Sequence, residues 1–375
     1  MEFGLFVQGY VPAARSAVDP MAEHKALMEE TKYVIQADKS GFKYAWASEH
    51  HFLEEYSHLS ANEVFLGYLA HATDRIHLGS GIFNPLAQVN HPVKVAEKVA
   101  MLDHLSEGRF EFGSGRGAGS HEILGFIPGV TDMNYTKEIW EETIAEFPKM
   151  WLQEEYPGFQ GKHWQLPPRK IFPKPYGKSH PAMWYAAGSP SSYAMAARKG
   201  LGVLGFSVQK VSDMEWVLEQ YKTAIRDAEP VGDFVNDNVM VTSTAICAPT
   251  HDEAVRIAVE GGLNRLQSLV FRYHDTFPRP EGIPEWPELL PEYNAEIIEL
   301  LIAEELMICG DPDEVAAQCG RWERAGADQL SFGLPIGVSF EDTMQTIRLI
   351  GEHVIPKIDT DPVHRTSRFR AASGS

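Results

Sequence analysis

Two short segments hold residues able to do chemistry. Residues 108–119, GRFEFGSGRGAG, read as a buried strand through the alternation of Phe110 and Phe112, followed by a turn with Gly113, Gly115, Gly117, Gly119 and a single Arg116. The glycines let backbone approach a ligand closely, and Arg116 adds a planar, permanently charged fork that suits a phosphate. The segment is an anion cradle at the C-terminal end of a strand; a plain flexible loop with an exposed arginine is the alternative. Upstream, Tyr44-Ala-Trp-Ala-Ser48 runs directly into Glu49-His50-His51, so titratable groups suited to general acid–base work stand where another strand ends. Adjacent strand-like residues point to opposite faces, and no HxxxH or HxE spacing accompanies the pair. It therefore reads as catalytic, or as a satisfied histidine at a strand end, and no metal is expected. A third segment, Gly188-Ser189-Pro190-Ser191-Ser192, combines small residues and hydroxyls with the start of a helix, whose free N–H groups attract anions. Arg116, Ser189 and Ser192 are expected to grip one phosphate together, although Ser191 or Ser192 would serve equally as an N-cap.

These loops need strands to carry them. Short apolar runs alternate with helical periods along the chain, and eight read as strands: Glu2–Val7, Tyr44–Ser48, Ile76–Gly79, Phe110–Gly113, Ala182–Ala186, Gly202–Phe206, Val239–Ile246 and Gln329–Phe332. Between them lie helical patterns such as Asp213–Asp227, several preceded by cap-type residues such as Ser191 and Ser212 and several closed by glycine, as at Gly41 and Gly200. Regular alternation implies right-handed βαβ units, and eight of them predict an α/β fold, a (β/α)8 TIM barrel with insertions at its C-terminal face. The insertions are placed at Gln153–Pro181 and Tyr273–Ile302 of a single domain spanning 1–375. Barrel geometry requires active residues just after strands, where all three chemical segments stand, as does Ser80-Gly81-Ile82-Phe83-Asn84-Pro85. By contrast, Gly200-Leu-Gly202-Val-Leu-Gly205 matches GxGxxG but lies where a helix ends and a strand begins, the reverse of a dinucleotide fingerprint. It reads as a C-cap and a strand entry.

Composition narrows the function. A net charge of −19 argues against nucleic acid and anionic membrane as partners. The opening MEFGLFVQGYVP has no signal-peptide character, and no run of about 18 apolar residues occurs, which predicts a soluble cytoplasmic chain. Cys247, Cys309 and Cys319 are few and without CxxC spacing, in keeping with a reducing compartment.

The chain resembles the bacterial luciferase-like, flavin-dependent monooxygenases over nearly its full length, in the opening MEFGLF, WASEHHF, His91-Pro92-Val93, LDHLSEGRFEFGSGRG, CGDPDEV and AGADQLSFG. The resemblance implies a (β/α)8 barrel holding reduced FMN at its C-terminal mouth. Carried over by position, Arg116 and Ser189 match phosphate contacts, Ser192 stands where luciferase has threonine, His50 matches a histidine required for turnover, and Gly81–Ile82 aligns with an unusual cis peptide against the isoalloxazine ring. Gly115 replaces luciferase's reactive cysteine, Gly188 an acidic phosphate-loop residue, and Ala118-Gly119-Ser120 lack the aromatic found there. Light emission is therefore not implied. The EHH motif and closing segments are similar to those of enzymes oxidising small apolar compounds, a limonene monooxygenase among them.

The implied chemistry is a reaction of reduced flavin with O2 to a C4a-peroxyflavin that oxygenates a small apolar substrate, with His50, beside Glu49, as general acid/base. Water must be excluded, and Phe159, His163, Trp164, Tyr273, Phe277 and Trp286 of the two insertions are expected to form a lid. With no pyridine-nucleotide fingerprint present, a separate NAD(P)H-dependent flavin reductase is the expected partner, and a homodimer the expected assembly. Deazaflavin F420-dependent hydride transfer and a non-catalytic flavin-binding subunit are the competing readings.

Overall fold

The computed structural model describes residues 1–117, 119–206, 209–275, 282–334 and 337–373. Eight parallel strands close into one barrel: β1 (Glu2–Val7), β2 (Tyr44–Ala47), β3 (His77–Ser80), β4 (Phe110–Ser114), β5 (Ala182–Ala187), β6 (Gly202–Gly205), β7 (Val239–Cys247) and β8 (Gln329–Gly333). Each pairs with the next, and β8 returns to β1 through Glu2–Gln329 to Phe6–Gly333. All eight strands expected from the apolar runs are present, with ends moved by a residue. The runs are continuous because both faces are covered, by the barrel interior on one side and by helices on the other. A ninth short strand, Ile308–Gly310, extends the sheet beyond the barrel by pairing with Ala245–Cys247.

Two expected caps move. Ser189, and not Ser191, caps the helix Pro190–Arg198, because Pro190 takes the first helical position, where a missing N–H is no loss. Ser212 lies inside the helix Val211–Ala224, which Lys210 precedes. Gly41 and Gly200 close their helices with positive φ of 89° and 68°, and Gly202 and Gly205 belong to β6.

The barrel floor is polar and sealed. The C-terminal helix Arg365–Ser373 lies against the strand N-termini, with Arg365 N–H donating to Glu2 Oε1 at 2.9 Å and Thr366 Oγ1 donating to Glu111 Oε1 at 2.5 Å. Glu111 also accepts from Trp184 Nε1 at 2.7 Å and meets His77 Nδ1 at 2.7 Å. Burial drives the two partners the same way, pushing the Glu111 carboxyl up to about 8 and His77 down to about 3. Their contact is thus a neutral hydrogen bond from the carboxyl O–H to the imidazole, not an ion pair. Because the folded carboxyl holds its proton from about pH 4.5 to 8 while the unfolded one loses it, the stabilisation is complete below that window and lost as pH rises through it. Glu111→Gln, which mimics the neutral form, should remove this slope: its melting temperature relative to wild type rises by roughly 2–5 °C between pH 5 and 8.5. A pH-independent difference in thermal melts would refute the neutral pair.

The two insertions part company. Residues 153–181 form a small hairpin, Phe159–Gln160 with Gln165–Leu166, and then return beneath the barrel, where Lys174 Nζ donates to the carbonyls of Met150 and Gln153 at 2.8 and 2.7 Å. The Trp164 ring packs on Phe159 and His91, centroids 4.5 and 5.9 Å away, and His163 N–H donates to Glu142. Phe159, His163 and Trp164 do not line the cavity described below; the His163 ring packs edge to face on Tyr135, centroids 5.1 Å apart. The second insertion does reach the mouth. It begins at Tyr273, the last residue of the helix Leu263–Tyr273, which is buried with Tyr10, Leu53 and Tyr56, while Trp286 is exposed and has the Arg272 guanidinium over its ring, 4.2 Å from centroid to Cζ. Neither aromatic lines the cavity described below; Phe277 lies outside the described residues.

Candidate active site

A cavity opens at the C-terminal mouth, and every expected site residue lines it: Glu49 and His50 after β2, Gly81 and Ile82 after β3, Gly115 and Arg116 after β4, and Gly188, Ser189 and Ser192 after β5. Parallel strands all end on one rim, so segments far apart in sequence converge there. The Gly81–Ile82 peptide is cis, as the family resemblance implied. A Cβ at Gly115 would stand 3.1 Å from Ile82 Cδ1 and 3.5 Å from Ala186 Cβ, so glycine keeps the floor between β3 and β5 open.

At the cradle, Arg116 Nη1 donates to Met133 O and Thr136 Oγ1, both at 3.0 Å. One edge of the guanidinium is thereby fixed, and the group faces the Tyr185 hydroxyl. Opposite, Ser189 and Ser192 form a capping box: Ser189 N–H donates to Ser192 Oγ at 3.0 Å and the hydroxyls lie 3.1 Å apart. This exposed pair stands at the N-terminus of a nine-residue helix, where a dianion finds N–H donors and a favourable dipole.

Facing the cradle is an acid–base group that sequence reasoning only half found. Residues 48–51 have left the strand, so His50 and His51 both line the cavity and do not point to opposite faces as expected. His50 Nδ1 lies 3.0 Å from Glu122 Oε2, and His51 N–H donates to Glu122 Oε1 at 2.6 Å. Burial raises the Glu122 carboxyl, but the charge of His50, its hydrogen bond and the His51 N–H outweigh this and hold it below the usual carboxylate range. Glu122 was missed because it reads as one more polar residue of the short helix Ser120–Phe126, and only the fold turns Glu122, Ile123 and Phe126 to the cavity together. His274, also missed, enters from the second insertion, its ring 5.5 Å from His50 and 5.4 Å from Tyr56. Burial takes it down to about 3, so it is neutral.

A parallel barrel with an arginine–serine cradle and a histidine–carboxylate pair on one rim can hold an anionic ligand and move protons beside it. The chain belongs to the luciferase-like monooxygenase family, whose model matches residues 1–329. It is 26% identical over 374 residues to the oxygenase component of a flavin-dependent trigonelline monooxygenase from Acinetobacter baylyi, covering 97% of this chain and 98% of that one. Identity to the limonene 1,2-monooxygenase of Rhodococcus erythropolis is 24%, over 96% of this chain and 87% of that one. Among solved structures, the oxygenating constituent of 3,6-diketocamphane monooxygenase from Pseudomonas putida, in complex with FMN, superposes with a TM-score of 0.75 at 22% identity, covering 96% of this chain and 98% of that one. The F420-dependent tetrahydromethanopterin reductase of Methanopyrus kandleri shares the fold with a TM-score of 0.66 at 20% identity, over 96% and 99% of the two chains. The protein is an oxidoreductase of this family. No helix among the described residues is long and apolar enough to cross a membrane.

Proposed function

We propose that the protein is the oxygenase component of a two-component system, taking reduced FMN from a separate NAD(P)H-dependent reductase and using O2 to oxygenate a small, largely apolar organic substrate. The observation that carries this is the convergence of the Arg116/Ser189/Ser192 cradle and the His50–Glu122 pair on one cavity. Supporting it, the full-length trigonelline relative is named an oxygenase component and the camphane relative was solved with FMN. The residues fit the cofactor: a fixed guanidinium and a helix N-terminus suit its phosphate, and the side-chain-free floor at Gly81 and Gly115 leaves room for a flat ring.

Reduced flavin, when bound, supplies the electrons that activate O2. The protein's part is binding, shielding and proton placement. Arg116 and Ser189 with Ser192 hold the phosphate. Ile123, Phe126, Leu204 and Met240 keep the cavity wall apolar and limit water. His50 delivers or accepts a proton at Nε2 while Glu122 binds Nδ1–H and stabilises the charged ring; the neutral His274 beside it adds no competing charge. Glu49 steadies His51, Oε1 to Nε2 at 3.3 Å.

The deciding experiment supplies a generic flavin reductase and assays O2-dependent product from a panel of terpenes, ketones and N-heterocycles, alongside titration with FMNH2 and reduced F420. Tighter F420 binding and hydride transfer without O2 would replace this reading with the deazaflavin one, and flavin binding without any turnover would leave a binding subunit. For the assembly we propose a homodimer through the helices Asn62–Ala72 and Pro92–Leu105, which leave Val64, Tyr68, Met101 and Leu105 exposed beside one another. Tyr68→Glu is expected to shift sedimentation from dimer to monomer; a wild-type monomer would dismiss the interface.

A further inference from the structure

Glu49 presents a carboxylate with half of its capacity unused. Its side chain is only 3% exposed, yet it lines the cavity. Oε1 takes both of its contacts, from Asn90 Nδ2 at 3.0 Å and His51 Nε2 at 3.3 Å, and Oε2 has no hydrogen-bond partner among the described residues. Asn90 is fixed in turn, Nδ2 also donating to Asn84 O at 3.1 Å and Oδ1 accepting from Lys98 at 3.3 Å, so the carboxylate cannot simply swing away. Around it the wall is apolar and aromatic: Val89 and Phe126 line the same cavity, and the His51 and Phe126 rings meet edge to face at 4.8 Å.

The charges of the cavity point the same way. The other carboxylate, Glu122, is engaged by His50 and His51, and the one lysine or arginine among the described lining residues, Arg116, belongs to the phosphate cradle. A carboxylate oxygen held in a mostly apolar pocket is costly unless its counter-charge arrives with the ligand. We infer that the substrate is a small organic cation, an ammonium or heteroaromatic cation with an apolar body, whose positive nitrogen faces Glu49 Oε2 and whose body lies against Val89 and Phe126. Such a ligand gains the charge pairing and the attraction of aromatic faces together. This deepens the proposed function by naming the substrate class of the same site, and rests on it.

The test compares isosteres that differ only in charge: phenyltrimethylammonium and tert-butylbenzene, with benzoate as the anion. Affinity is measured by equilibrium dialysis on the full chain with and without oxidised FMN, so failure of flavin binding is seen separately from failure of cation recognition. Wild type should bind the cation about tenfold or more tighter than the neutral isostere, with benzoate weaker than both. Glu49→Gln should abolish that preference with FMN affinity unchanged. Equal binding of the two isosteres by wild type would overturn the inference even if the variant failed to fold, and so would a preference that survives in Glu49→Gln.

Discussion

His50→Ala is expected to cut coupled product formation by about 100-fold or more, the scale of a general acid–base contribution, while flavin affinity changes little. O2 consumption should continue, ending as hydrogen peroxide. The expectation follows from position: His50 stands in the cavity wall with Nδ1 held 3.0 Å from Glu122. Removing the imidazole deletes the proton carrier without touching the phosphate cradle on the far side. Glu122→Gln keeps a hydrogen-bonding partner but not its charge, and should fall between wild type and His50→Ala. If His50 only filled space, its loss would lower thermal stability and leave the ratio of product to peroxide unchanged in the enzyme that remains folded. Single-turnover measurement of that ratio decides between the two.

Arg116→Ala should weaken reduced-FMN binding by roughly 1.5–3 kcal/mol, the range for a hydrogen bond to a charged group, or about 10- to 150-fold in Kd. The bonds from Nη1 to Met133 O and Thr136 Oγ1 pre-orient the fork, so little side-chain freedom is lost on binding. Arg116→Lys keeps the charge but not the planar fork, and should recover only part of the loss. Titration of the folded variants under anaerobic conditions reads this directly, and an unchanged affinity for Arg116→Ala would dismiss the cradle.

What the sequence determined by itself is what short-range rules govern. Apolar runs of strand length alternating with helical periods require parallel strands, and the closed barrel then puts every strand's C-terminal end on one rim. The glycine turn at Arg116, the Glu49-His50-His51 segment and the serines at the start of the helix after β5 are local features, legible without coordinates. The reach of GxGxxG at Gly200–Gly205 was limited by the same logic, since the order helix then strand is itself local. Only the tertiary structure decided which of these meet. Glu122 lies 72 residues from His50, and nothing in a single amphipathic turn distinguishes a solvated carboxylate from one buried against an imidazole. His274 belongs to an insertion whose path no periodicity encodes, and in 153–181 the Trp164 ring packs on Phe159 of its own hairpin and on His91 and not into the cavity. Glu49 shows the division within one side chain: its place beside His50 is sequence, but that Asn90 and His51 occupy Oε1 and leave Oε2 without a partner follows from loops of two different strands meeting on a closed rim.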